Sequence, residues 1–239
     1  MNEPATPGVI AFVCAMPMEA RPLARKLSLH PDRAGQVAHR SGQLAGHPVV
    51  AMVTGMGTRL ATDQTIRLLD AIRVDRVVVV GITGAVEDTT PIGTLVLPEV
   101  VVNSATGAEY RPARLGGGTP AGKMWTTDVL LTEPEVIAGL RAQGVVALDM
   151  ETAAIAEVCE GRGIPWSVFR AISDRATDGS IDDEVFHLSH QDGTPDGRAV
   201  ARYVLKHPGR IPGMARLARG AKLATETAAD AAIRAVSSI

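Results

Sequence analysis

The chain of 239 residues carries 24 Lys+Arg and 26 Asp+Glu, a formal net charge of −2, so no global field recruits nucleic acid or acidic lipid. Apolar residues make up 46%, which suits a packed globular domain and argues against disorder. Aromatics reach only 3%, too few for a stacking platform on single-stranded nucleic acid.

The first residues, MNEPATPG, are polar and lack the charged and apolar regions of a signal peptide. Residues 9–15, VIAFVCA, form a continuous apolar run and read as a central parallel strand. Met16-Pro17-Met18-Glu19-Ala20 follows, with Pro17 suited to the first turn of a helix and Leu23 and Leu27 at helical spacing. Glu19 then sits in that first turn just past a strand end. Two readings of it stay open on position alone: complement to the helix dipole, or functional carboxylate. Residues 40–47 read as a hairpin leading into a strand over 49–53. Thr54-Gly55-Met56-Gly57 reads as a turn whose glycines let backbone amides approach a ligand or simply join strand to helix. A helix follows over 58–72.

Residues 76–86 form another buried strand that runs into the glycine-punctuated turn containing Gly84. Pro98 interrupts the next strand, 94–102, and demotes that part to an edge or bend. Residues 104–122 read as a long polar loop, 125–131 as short and mixed, and a helix runs from 132 or 133 to 142. The stretch 145–174, VVALDMETAAIAEVCEGRGIPWSVFRAISD, reads as strand, helix, turn and strand. Gly161, Gly163 and Pro165 stop the helix, and the strand 166–172 is short, apolar and β-branched. Glu151 opens the helix and Asp174 closes the strand. Ligands in open α/β sheets sit beyond the carboxyl ends of strands, so both carboxylates are expected in one pocket.

After Asp174 the composition shifts. Asp178, Asp182, Asp183, Glu184, Asp192 and Asp196, with His187 and His190, read as a solvated loop or lid, because their spacing fits no common metal site. Beyond residue 197 two helical patterns carry Arg198, Arg202, Lys206, Arg210, Arg216, Arg219, Lys222 and Arg234. Ile211, Met214, Leu217, Ala218 and Ala221 mark one apolar face. The expectation is an amphipathic helix packed on the domain, with a weak membrane-surface contact as the alternative. Cys14 and Cys159 lie on apolar segments and read as buried reduced thiols. No cofactor or metal is expected. GxGxxG, Walker A and GxSxG motifs are absent. The alternation of strands and helices predicts a single α/β domain over 8–239, with 178–239 a divergent lid and basic helical tail.

Taken together, AMPMEA, TGMG, VVVVGITGAV, LDMETAAIAEVC and VFRAISD resemble the nucleoside phosphorylase and nucleosidase superfamily, in its methylthioadenosine/S-adenosylhomocysteine nucleosidase-like branch. The resemblance covers residues 9–174. It implies a central mixed β-sheet forming a distorted barrel flanked by helices, and a homodimer; the polar N-terminus and the short apolar runs predict a cytoplasmic location. It also implies roles. Asp174, preceded by Ser173, protonates or hydrogen-bonds N7 of the purine. Glu151 holds the ribose hydroxyls while Met150 packs on the sugar. Glu19 activates the attacking water. The base edge falls near Val129, Leu130 and Leu131, where leucine at 130 replaces a frequent phenylalanine and Phe12 or Trp125 would have to stack instead. The hexameric phosphorylases of the superfamily grip phosphate with an arginine at the position of Glu19, and a second phosphate arginine corresponds to Val79. Water is therefore the expected nucleophile. The tail, KHPGRIPGMARLARGAKLA, is similar to that of hopanoid-associated nucleosidases, which implies a large or apolar 5′ substituent. The expected activity is hydrolysis of a purine nucleoside. The alternatives are a phosphate-dependent phosphorylase and a non-catalytic nucleoside-binding module.

Overall fold

Strand β1 (Val9–Cys14) lies between two parallel neighbours, β4 (His47–Val53) and the long β5 (Val74–Ala85). The computed structural model describes residues 8–177, 183–186, 188, 190, 192–194 and 196–239, so Asp178, Asp182 and His187 of the acidic stretch lie outside the described residues. In chain order, α1 (Pro17–Lys26), β2 (His30–Ala34) and β3 (Val37–Leu44) separate β1 from β4, and α2 (Thr58–Ala71) leads to β5. Next come β6 (Leu95–Val96), β7 (Val100–Asn103), β8 (Glu109–Tyr110), β9 (Lys123–Thr126) and α3 (Pro134–Ala142). The opening of the second half is β10 (Val145–Asp149), α4 (Thr152–Gly161) and β11 (Trp166–Arg175). The chain then forms α5 (Asp183–Phe186), α6 (Gly197–Lys206), a 3₁₀ turn (Pro208–Arg210) and α7 (Ile211–Val236).

The strands form one mixed sheet in the order β2-β3-β4-β1-β5-β10-β9-β7-β8, with β11 and β6 branching from β5. The branch follows from the length of β5. Its first half pairs with β1 on one side and β11 on the other; past Val79 it leaves β1, and Gly84 and Ala85 pair with β10 instead. The sheet is not closed, because a barrel needs its edge strands paired and here the path ends at β2 and β8. This corrects the expectation of a distorted barrel. Strand β2, HPDRA, escaped the sequence reading because it is a polar, exposed edge strand, where Pro31 is tolerated.

Both faces of the central strands are covered, which is why they read as unbroken apolar runs. Ala11, Val13, Val77 and Val79 pack with Ala61 and Leu68 of α2 and Ala153 and Ala156 of α4. The alternate residues, Phe12, Cys14, Val78 and Val80, pack with Leu23 of α1 and Ala224, Ala228 and Ala232 of α7. Alanines three or four apart let α7 lie close over the sheet. The C-terminal half of α7 is therefore core, although its sequence reads as part of a tail.

Candidate active site

Three segments converge on one site: the turn after β1, the turn between β10 and α4, and the end of β11. The first carries Glu19. Pro17 starts α1, and Glu19 falls at the third helical position, where its Oε2 accepts from the amides of Ala15 (2.8 Å) and Met16 (3.0 Å). Its Oε1 accepts from the amide of Ile82 at 2.8 Å. The carboxylate is thus pinned between β1 and β5 and is only 1% exposed. Burial pushes its pKa up, while Arg170 and the three amides pull it down without cancelling the rise.

The second turn carries Asp149, Met150 and Glu151 between β10 and α4. Asp149 Oδ2 accepts from the amide of Thr152, the first residue of α4, at 2.9 Å, while Thr126 donates to the other oxygen. Glu151 Oε1 accepts from the amide of Gly57 at 3.0 Å. The glycine turn therefore holds a protein carboxylate instead of presenting that amide to a ligand. Gly57 has φ +92°, a conformation that favours glycine.

The third element is the end of β11. Between Ile172 and Asp174 the register against β5 shifts, leaving Ser173 as an extra residue opposite the step from Thr83 to Gly84. Such a bulge re-aims the following side chain. Ser173 donates to Asp174 Oδ1. A β-carbon on Gly84 would stand 3.2 Å from Asp174 Oδ2, so glycine leaves that carboxyl its room. On the other side Gly220 of α7 packs against the carbonyl of Ser173, where a β-carbon would come within 2.7 Å. Asp174 is half-buried.

Arg170 joins the first two turns, and the sequence reading assigned it no role. Its Nη2 donates to Asp149 Oδ2 (2.8 Å), Glu151 Oε2 (3.1 Å) and Thr152 Oγ1 (3.2 Å). Its Nη1 donates to the carbonyl of Ile82 (3.0 Å) and reaches Glu19 Oε1 at 3.4 Å. Burial opposes its charge, but Asp149, Glu19 and Glu151 outweigh that and raise its pKa. The signal was present: a lone charge inside WSVFRAISD must be paired if the strand is buried. Gly81 is the consequence on the neighbouring strand. A β-carbon there would stand 2.6 Å from Arg170 Nη1 and closer still to Glu19 Oε1.

These groups line a cavity of about 450 Å³. Of the residues singled out in the sequence, Glu19, Gly84, Met150, Glu151, Ser173 and Asp174 all line it. Leu130 and Leu131 do not. The loop that carries them is tied to the start of α2 by Asp128, which accepts from the Thr58 amide at 2.8 Å, and Leu131 packs on the cluster of Val86, Ile137, Leu140 and Val145. Phe12 is buried in the core and Trp125 packs on the same cluster as Leu131. Neither reaches the cavity, and among the described residues no aromatic side chain lines it. Its apolar wall is Met16, Met18, Met56, Met150 and Met214, with Leu188, Val200, Leu217 and Ala218. Helices α6 and α7 thus supply a wall that the sequence reading left to a lid and tail. The two cysteines are free and buried, and burial drives both thiols up, that of Cys159 to about 12.

Glu151 gives the site a pH signature. Burial is the largest cause of its shift from 4.5 to about 7; Arg170 and Gly57 oppose it, and the neighbouring Asp149 and Glu19 reinforce it. A carboxyl with a raised folded pKa binds a proton that the unfolded chain has released. Its contribution to stability therefore falls as pH rises between the ordinary value of 4.5 and about 7. Glu151→Gln should flatten that part of the curve. Melting temperatures of both proteins from about pH 5 to about pH 7.5 check it, and parallel curves would assign the proton elsewhere.

A relative from Bacillus thuringiensis (strain Al Hakam), a 5′-methylthioadenosine/S-adenosylhomocysteine nucleosidase, is 26% identical over 198 residues, covering 70% of this chain and 86% of the relative. The solved nucleosidase of that name from Neisseria meningitidis, in complex with methylthio-immucillin-A, superposes with a TM-score of 0.71 at 19% identity, covering 97% of this chain and all of that one. Futalosine hydrolase of Helicobacter pylori superposes with a TM-score of 0.73 at 15% identity, covering 97% of this chain and 98% of that one. These two likenesses establish the fold. The pattern of the phosphorylase superfamily matches residues 9–121 and 111–206, which together span most of the chain. The chain therefore belongs to the phosphorylase superfamily.

Proposed function

We propose that the protein is an N-glycosyl hydrolase that releases the base from a purine nucleoside of the adenosine type, with water as nucleophile. One observation carries the choice of water. Among the described residues Arg170 is the single cation lining the cavity, and three buried carboxylates already share it. A phosphate dianion entering there would meet excess negative charge with no free cation to hold it. The curated relatives named as nucleosidases support the same reading.

The chemistry needs a neutralised leaving base, a stabilised cationic sugar and a placed water. Asp174, at the bulge beside Gly84, is assigned the purine N7 as hydrogen-bond donor and general acid. Glu151, on a fixed helix start with Met150 beside it, is assigned the ribose hydroxyls. Its negative charge would lie near the developing oxocarbenium. Glu19 is assigned the water. Its upward-shifted pKa makes it a better proton acceptor than a surface glutamate. Arg170 and Asp149 position the two glutamates. The methionine-rich wall accommodates a large or apolar 5′ substituent, since ligand cavities take their shape preference mainly from apolar lining. The resemblance to the nucleosidases supports assembly as a homodimer, and the two free, buried cysteines support a cytoplasmic location.

Base release in phosphate-free buffer tests the reading, with methylthioadenosine, S-adenosylhomocysteine, adenosine, inosine and a bulky 5′-alkyl adenosine as substrates. Free base and free sugar are the expected products. A requirement for phosphate, with a sugar 1-phosphate as product, would make the protein a phosphorylase. Calorimetric binding with no base released would make it a binding module.

A further inference from the structure

Helices α6 and α7 have two faces with different chemistry. The inner one walls the cavity with Val200, Met214 and Leu217. The outer one is basic. Residues 197–225 hold seven of the chain's 24 Lys and Arg and none of its 26 Asp and Glu, so this segment carries +7 and the rest of the chain −9. The modest net charge hides this division. All seven basic residues are exposed, and among the described residues no carboxylate pairs with Arg198, Arg202, Lys206 or Arg216. On α6 Tyr203 is buried, while Arg198, Arg202, Leu205 and Lys206 are exposed. Leu205 is 83% exposed and Ile211, where the 3₁₀ turn passes into α7, is 45% exposed.

We propose that this face docks on an anionic bilayer surface and so holds the apolar side of the cavity against the membrane. The charge is complementary to acidic headgroups, and the exposed aliphatic side chains among the cations, Leu205, Ile211 and Leu223, are suited to the headgroup–acyl boundary. A nucleic-acid partner is disfavoured because the face has no exposed aromatic residue to stack on a base. The docking is peripheral: among the described residues no helix is long and apolar enough to cross a membrane. It rests on charge and exposure, independently of the reaction assigned to the cavity.

Vesicle flotation of the full chain is the test. Phosphatidylcholine vesicles are compared with vesicles containing about 30% phosphatidylglycerol, at low and high salt. Binding is expected only to the anionic vesicles and should disappear near molar salt. The triple variant R198E/R202E/K206E, none of whose positions lines the cavity, should bind at least about thirtyfold more weakly. Leu205→Ser, a single change at an exposed position, should weaken binding severalfold with the salt dependence unchanged. Base release from a water-soluble nucleoside should stay within about twofold in both variants, which separates failed docking from a failed fold or a wrong reaction. Absence of binding to anionic vesicles, equal binding to neutral ones, or unchanged binding by the triple variant would overturn the proposal. Release from vesicles by an equal charge of duplex DNA would assign the face to nucleic acid instead.

Discussion

Asp174→Asn is expected to lower turnover of the purine nucleoside by roughly 10²-fold or more while the protein remains folded. A purine anion is a poor leaving group, and asparagine can hydrogen-bond N7 but cannot transfer a full proton to it. Asp174 follows the bulge at Ser173, its carboxyl accepts from the Ser173 hydroxyl, and Gly84 leaves it space against β5. Asparagine occupies nearly the same volume, so the melt should move little. The measurement pairs single-turnover base release with a thermal melt. Turnover within a fewfold of wild type would remove Asp174 from proton transfer. Equal losses of folding and activity would make its role structural.

Arg170→Met should be the most damaging change to the fold. It leaves Glu19, Asp149 and Glu151 buried together without their shared cation, and breaking a buried ion cluster by removing one partner costs about 3–5 kcal/mol. Without the cation that lowers their pKa values, the glutamates would hold their protons more tightly still, so the variant should be most stable at low pH, relative to wild type. Activity near neutrality should fall with it, because both assigned glutamates lose their orientation. Arg170→Lys restores the charge but not the fork that reaches Glu19 from one nitrogen and Asp149 and Glu151 from the other, so only partial rescue is expected. Denaturant unfolding across pH, together with kcat/KM for both variants, checks this. A loss below about 1 kcal/mol for Arg170→Met would show that the cluster does not depend on its cation.

The two predictions differ in how visible their residues were. Asp174 and Glu151 could be singled out because each closes or opens a segment whose periodicity is clear. Position at a strand or helix end is local information. Glu19 was visible for the same reason, with Pro17 marking the helix start. Arg170 carried a weaker mark: it sits inside a strand, and only its neighbours decide whether a charge there is buried and paired or turned to solvent.

The sequence by itself determined the α/β class, the order of strand and helix, and the carboxylates at their junctions, because hydrophobic period, proline, glycine and caps act over a few residues. The tertiary structure decided the rest. It left the sheet open where a barrel was expected, because β5 exchanges β1 for β10 along its length. It took Leu130 and Leu131 away from the cavity and placed α6 and α7 on its wall. It gathered three carboxylates on one guanidinium from segments up to 151 residues apart. Contacts of that separation are set by how packed faces meet, and no local pattern encodes which distant side chain will satisfy a buried charge.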